Sequence, residues 1–350
     1  VFVLAHDKAG VLDGSKAFQP LALRTNVGEC DAVTLTSELT DINAAGHFSQ
    51  VNIHIHHVQF DTQASDGVIT GMSYEQAVRP YKLEDPQLTA DAPAGATVLQ
   101  LSSVAKFQVG ESIGTGLGTE GAPASGTANA AQSGQGPEVR VITAIDATAN
   151  TVTLSDPLTI AHPAGQYAGT EFVQYRWYPD VNLDNIFFHD HVDGIHTWAH
   201  GLVGQLITEP KGSTYHDPRT GAPADSGTIV DIRTTSPMAA AAGVSASFRE
   251  MALWTIDENP AVDSTLNRRA EPWADRLARN GDSSLLFSSY THGDPFTPLP
   301  RAYPGDPFVI RTISVAPTVD TLHVDGHTFG YENRYADSAG TLEGGAVDTL

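Results

Sequence analysis

The sequence predicts an all-β protein made of several sandwich domains, and three observations predict it. The chain carries 32 Gly and 21 Pro, which punctuate short runs rich in β-branched and aromatic residues, the pattern of strands joined by turns. Its 350 residues suffice for two or three domains, each with its own core. Two histidine pairs, His54-Ile55-His56 and His189-Asp190-His191, are spaced at the period of a strand, where residues two apart point to one face.

Taken in order, the segment PLALRTNVGECDAVTLTSEL (20–39) reads as strand, turn and strand, and VNIHIHHVQFDTQASDGV (51–68) as the strand that carries the first pair. Residues 88–168 change character. TVLQLSSV and NTVTLSDPL read as strands of a small independent β-domain inserted in the chain, with a flexible small-residue loop at about 116–136. Such an insertion in a surface loop costs little stability. EFVQYRWYPDVNLDNIFFHDH (171–191) then reads as an aromatic-rich strand followed by the strand of the second pair, and DGIHTWAH as a helical turn. Further on, RAEPWADRLARN (269–280) predicts a short helix and FVIRTISV (308–315) another strand.

In each pair the strand period aims two imidazoles in one direction and turns the middle residue away, so Ile55 is expected in the sandwich core. Neutral imidazoles suit copper, zinc and iron. Paired His-x-His units without a thiolate or a carboxylate cluster favour copper. The candidate metal ligands are therefore His54, His56, His189 and His191.

The surroundings of the pairs carry a resemblance to a known family. A strand with His-x-His followed about ten residues later by Asp66-Gly67-Val68, and a second His-x-His followed by Gly201-Leu202-x-Gly204-x-Leu206-Ile207, resemble the two copper motifs of the first cupredoxin domain of multicopper oxidases. The segment 306–332 is similar to the start of a further cupredoxin domain. The resemblance covers residues 20–80, 168–212 and 228–335, and is nearest to the large multi-domain bacterial type, which includes manganese-oxidising enzymes. It implies tandem cupredoxin-like Greek-key β-sandwiches: a first domain from 1–87 plus 169–212, the inserted β-domain at 88–168, and a second cupredoxin-like domain at 213–350, incomplete and lacking a full blue-copper site.

The resemblance also implies function. In that family three coppers between two cupredoxin domains reduce O2 to water with electrons taken from a phenol or a metal ion such as Mn(II), Fe(II) or Cu(I). Four His-x-His pairs hold them, of which this chain offers two, so its type 2 and type 3 copper sites would be shared with a cupredoxin domain outside the chain. Asp190 stands where a domain with an electron-entry copper has cysteine, which implies a domain that holds cluster ligands only. In the third motif Asp320 and Asp325 stand at ligand positions, so His323 and His327 are read as non-ligands.

Asp66 matches the family position of an acid that delivers protons to reduced oxygen, a role for a partly buried, hydrogen-bonded carboxylate. Asp66-Gly67 is equally a strong turn dipeptide. The two readings are compatible. Among the remaining histidines, His57 falls on the far face of its strand, and His196 and His200, four apart, share one side of a helical turn. They are read as structural, with an extra metal site at His196 and His200 or a hydrogen-bonding role toward the ligands as the alternatives. His162, His216 and His292 are placed in turns or at the surface.

The formal net charge of −22 excludes a nucleic-acid partner, since phosphate recognition needs clustered Lys and Arg. Such a surface attracts cations, and equally keeps a secreted protein soluble. Cys30 is the only cysteine, which excludes a disulfide framework; it is expected at a strand start, partly buried. No run reaches the roughly 20 apolar residues of a membrane-spanning helix. The chain begins without Met and is read as an internal piece of a longer extracellular, periplasmic or cell-surface protein, the location following from the resemblance. The reading from a different class is a non-catalytic copper-binding or scaffold module.

Overall fold

The computed structural model describes residues 1–16, 19–39, 50–68, 76–118, 137–199, 201–224, 226–234, 247–256, 265–266, 273–293, 297, 299–315, 321–330 and 346–347. The chain is mostly β, as the sequence predicts. Its first strands are β1 (Leu21–Asn26), β2 (Asp31–Leu35), β3 (Val51–Asn52), β4 (His54–Ile55), β5 (Gln59–Phe60) and β6 (Ala77–Val78). The middle of the chain supplies β7 (Val98–Gln100), β8 (Ser112–Leu117), β9 (Glu138–Asp146), β10 (Thr151–Leu154) and β11 (Tyr167–Gly169). Then come β12 (Val173–Tyr178), β13 (Asn185–His189), the short helix α1 (Gly194–Ala199) and β14 (Val203–Glu209). The last part holds β15 (Thr214–His216), β16 (Ile229–Arg233), β17 (Ser247–Ile256), β18 (Thr265–Leu266), the helix α2 (Trp273–Arg279) and β19 (Phe308–Val315).

A first sandwich forms from two sheets, β1-β14-β13-β4 and β2-β12-β5. Alternation explains the pairing: along β12, Tyr175 and Trp177 are buried while their neighbours Gln174, Arg176 and Tyr178 are not. Tyr175 and Trp177 meet Ile55, Ile186, Phe188 and Leu206 of the facing sheet in one core, the interdigitation expected of packed sheets. Ile55 is fully buried there, as expected of the middle residue of the first pair. Gly204, opposite Phe188 in the β13–β14 ladder, leaves room for the ring to lie across it: a Cβ at Gly204 would sit 2.0 Å from the Phe188 ring.

Between β6 and β12 the chain builds a separate five-stranded sheet, β11-β8-β9-β10-β7. It closes over its own core, which includes Leu99, Ile113, Ile142 and Val152, all fully buried. The excursion therefore begins and ends on the first sandwich without entering its core. A third sheet, β15-β16-β17-β18 with β19 parallel to β17, packs on β1 and β14 through Ala22, Ile207 and Ala252. Val203 and Trp254 extend that contact.

The seam between these two units is charged as well as apolar. Arg24 of β1 donates to Glu250 of β17 with both side chains fully buried. Arg311 of β19 donates from Nε to Glu250 Oε2 at 2.8 Å and from Nη1 to Asp184 Oδ1 at 3.0 Å. Burial alone would raise the Glu250 pKa, but the Arg24 and Arg311 charges overcome it and hold the group well below the ordinary carboxylate range. Burial and the Glu250 charge push Glu209 well above the ordinary carboxylate range.

Five expectations are corrected. His162 is not at the surface: it is 2% exposed, enclosed in the inserted unit with its ring nitrogens beside Gln166 Oε1 at 2.9 Å and Glu138 Oε2 at 3.2 Å. His216 ends strand β15, and His292 is buried in the last turn of a short helix, Ser289–His292, where Arg279 Nη2 donates to its Nδ1 at 3.3 Å. Cys30 is exposed rather than partly buried, directly before β2. The predicted loop at 116–136 begins too early, because Gly116 and Leu117 complete β8; residues 119–136 lie outside the described residues. The helix expected within 269–280 is α2, and the strand at 308–315 is β19. Among the described residues no helix is long and apolar enough to cross a membrane.

Candidate metal centre

The register of one short ladder creates the site. β4 and β13 pair antiparallel with His54 opposite His189 and Ile55 opposite Phe188. Directly opposed residues share a face, so the two histidines stand together while Ile55 and Phe188 enter the core. The extended pairing runs one residue further, with His56 N–H donating to Phe187 O at 3.1 Å, which brings His56 to the same edge. His54, His56 and His189 present ligand nitrogens that all lie within 4.8 Å of one another. His56 Nε2 and His189 Nε2 are 3.0 Å apart.

Main-chain carbonyls orient two of these rings. His54 Nδ1 lies 2.7 Å from Asp66 O, and His189 Nδ1 lies 2.8 Å from Asp190 O. A carbonyl can only accept, so each Nδ1 carries the hydrogen and each Nε2 keeps its lone pair for a ligand. His189 also packs edge-on against Trp198 at a centroid distance of 4.5 Å and stacks on Phe187 at 4.7 Å. Burial, reinforced by the neighbouring imidazoles and opposed by the Asp190 carbonyl, pushes the His189 pKa down to about 4. His56 is lowered for the same reasons, burial first and then His54, His57 and His191. These two rings are neutral near pH 7, the form that binds metals.

The fourth candidate, His191, sits at the rim. Its ring is exposed, with centroids 5.2 Å from His54 and 5.6 Å from His189, and it stands outside the three-imidazole group. Asp66 lies beside the site: its Oδ1 is 3.2 Å from His54 Nδ1, so both its carbonyl and its carboxylate face the same imidazole nitrogen. The turn reading holds at the same time. Gly67 has φ +73°, and a Cβ there would meet Ile53 O at 2.0 Å, so the Asp66-Gly67 turn presses directly on the strand of the first pair.

His57 does not continue the strand. It is exposed and left-handed, with φ +60°, and its ring centroid is 6.1 Å from His56. His196 falls within α1 as a helical turn requires, but its side chain and all of His200 lie outside the described residues, as does Asp320. His323 Nε2 approaches Asp325 Oδ1 at 3.0 Å, both exposed.

The sequence reasoning missed Asn52 and Trp198. Trp198 Nε1 donates to Asp190 O at 2.7 Å. Asn52 is fully buried between the two motifs. Its position two residues before His54, on a strand otherwise apolar at 51, 53 and 55, was the available signal, because a buried amide in an apolar strand has to find partners. The donor set fits a copper, zinc or iron ion in chemistry: imidazole nitrogens in the neutral form, two of them fixed in tautomer, converging at an accessible sheet edge. No family model matches the chain, and no curated protein matches it.

Proposed function

We propose that the chain is part of a multicopper oxidase and contributes half of the histidine set of a trinuclear copper cluster. The observation that carries this reading is the convergence of His54, His56 and His189 from two separate His-x-His strands within 4.8 Å. The two-motif arrangement, the Asp66-Gly67 turn against His54 and the all-β scaffold support it. In this reading His191, at the rim, turns toward a cupredoxin domain outside these 350 residues that provides the remaining histidines. The tandem cupredoxin character of the two sandwich units belongs to the same proposal, as do an extracellular or periplasmic location and a phenol or a metal ion as reductant.

Copper held there would supply one-electron redox steps and a site at which O2 accepts electrons. This chain's own part is to hold neutral imidazoles in fixed tautomers, to exclude water from one side of the site with Phe187 and Trp198, and to place the Asp66 carboxylate beside the His54 nitrogen, where it can pass protons inward. Four one-electron oxidations of substrate and four protons balance each O2 reduced to two waters.

A second reading, a copper-binding module without turnover, is favoured by Asp190 at the position of an electron-entry cysteine and by Cys30, the single cysteine, being exposed away from the site. Sequencing the gene beyond Leu350 and measuring O2 uptake by the complete, copper-loaded product with a phenol, Mn(II), Fe(II) or Cu(I) separates the two. The oxidase reading expects downstream His-x-His and His-Cys-His motifs and four-electron uptake. Copper bound without O2 uptake leaves the module.

A further inference from the structure

Asn52 and Asp190 are both fully buried, and their polar groups are directed at each other's strands. Asn52 N–H donates to Asp190 Oδ1 at 2.9 Å, and the N–H of His191 donates to Asn52 Oδ1 at 2.7 Å. The bonds are reciprocal. The backbone of the first motif binds the side chain at the centre of the second, and the backbone of the second binds a side chain just ahead of the first. The remaining atoms of the pair reach outward. Asn52 Nδ2 donates to Gly67 O, the residue after Asp66, whose own carbonyl holds His54. Asp190 Oδ2 accepts from Thr197 Oγ1 at 2.6 Å and from Asp193 N–H at 3.1 Å, while the Asp190 carbonyl orients His189 and Trp198.

From this juxtaposition we infer that Asn52 and Asp190 are positioning residues that lock the two His-x-His motifs into one metal-binding geometry. The inference deepens the proposed function and rests on its metal-binding part. β4 and β13 pair at two positions, 54 with 189 and 55 with 188, with one further bond from His56 N–H to Phe187 O, a short ladder to hold four imidazoles in register. The clasp adds side-chain bonds just before that ladder in the first motif and just after it in the second, where the backbone pairing ends. A polar pair in a core is tolerated only when its groups are satisfied, and here the partners are the segments that carry the ligands.

Neither residue touches the ion, so removing one acts through orientation. Loss of an outer hydrogen-bond partner of a ligand costs roughly 10- to 100-fold in metal affinity. Because the two residues act as one unit, their losses are expected to be non-additive, as for groups in one hydrogen-bond network.

The test titrates the full chain with Cu(II) by calorimetry and records the EPR spectrum, with circular dichroism and thermal unfolding of the metal-free protein measured alongside. Asn52→Ala is expected to weaken Cu(II) binding about 10- to 100-fold and to change the copper hyperfine pattern, and Asn52→Ala with Asp190→Ala to cost no more than the larger single loss. Asp190→Asn, which keeps an oxygen for the Asn52 N–H, is expected to recover part of the affinity. In the metal-free chain, imidazole 15N spectra are expected to show His54 in a single Nδ1–H tautomer that Asn52→Ala lets mix. If the buried variants do not fold, Thr197→Val, which removes only the hydroxyl on Asp190 Oδ2, is expected to weaken Cu(II) binding in a folded protein. Folded variants with unchanged affinity, spectrum and tautomer, or strictly additive losses, overturn the clasp while leaving the metal site standing. A native chain that takes up no Cu(II) overturns both.

Discussion

His54 and His189 face each other across the β4–β13 ladder, and each gives its Nδ1 hydrogen to a main-chain carbonyl, of Asp66 and of Asp190 respectively. Two candidate ligands on separate strands are thus aimed by main-chain carbonyls, with the Asp66 carboxylate also facing the His54 nitrogen. Loss of the ligand itself is therefore expected to cost more than loss of any partner: His189→Ala should reduce Cu(II) affinity by more than the roughly 100-fold upper range for outer hydrogen-bond partners. Competitive titration against a chelator of known affinity checks this, and a loss under tenfold counts against His189 as a ligand.

Asp66→Ala separates two roles of one residue. The carbonyl that orients His54 survives the substitution and the carboxylate 3.2 Å from the same nitrogen does not. Under the proposed oxidase reading, copper should be retained and reoxidation by O2 in the complete protein should slow, by about 100-fold or more on the scale of lost proton transfer. Stopped-flow reoxidation reads this directly, and an unchanged rate removes Asp66 from the oxygen half-reaction.

Trp198 reports on the site without any activity. Its ring lies 4.5 Å from His189, so paramagnetic Cu(II) bound by that imidazole should quench its fluorescence. Trp198→Phe should remove most of the quenching and leave the titration endpoint unchanged. Equal quenching in the variant places the ion elsewhere.

The seam between the first sandwich and the third sheet should be sensitive to unpairing. Glu250→Ala leaves Arg24 buried without its carboxylate, and breaking a buried pair on one side costs about 3–5 kcal/mol. Urea unfolding is expected to show a loss of that size; a loss below about 1 kcal/mol, typical of an exposed pair, contradicts the buried network.

Acid should loosen the inserted unit through Glu138. Burial alone would raise its pKa, but hydrogen bonds from Thr159, Ile160 and His162 overcome it and hold the group at about 2, against an ordinary value of 4.5. A depressed folded-state pKa contributes stability that is complete above 4.5 and lost as pH falls toward 2. Thermal unfolding between those limits should decline less steeply for Glu138→Gln than for the native chain, and identical slopes refute the assignment.

Much of this architecture was legible in the sequence, for physical reasons that also mark the limits. Period-two spacing made His54/His56 and His189/His191 visible as pairs and sent Ile55 to the core, because a strand leaves no other arrangement. Pairing register is not written locally: nothing in either motif states that position 54 meets 189, and so the different depths of His189 and His191 emerged only from the fold. His162 was misplaced because burial of a histidine depends on partners such as Glu138 and Gln166, the first of them 24 residues away. The same holds for Asn52, whose partners Asp190 and His191 are 138 and 139 residues distant.

The most direct test of the central claim is pulsed EPR of the chain loaded with one equivalent of Cu(II), compared with a His54→Ala/His189→Ala double variant. Nitrogen couplings from more than one imidazole in the native chain, lost in the variant, are the predicted result. No firmly held Cu(II), or the same couplings in both proteins, would contradict a metal centre built from these two strands.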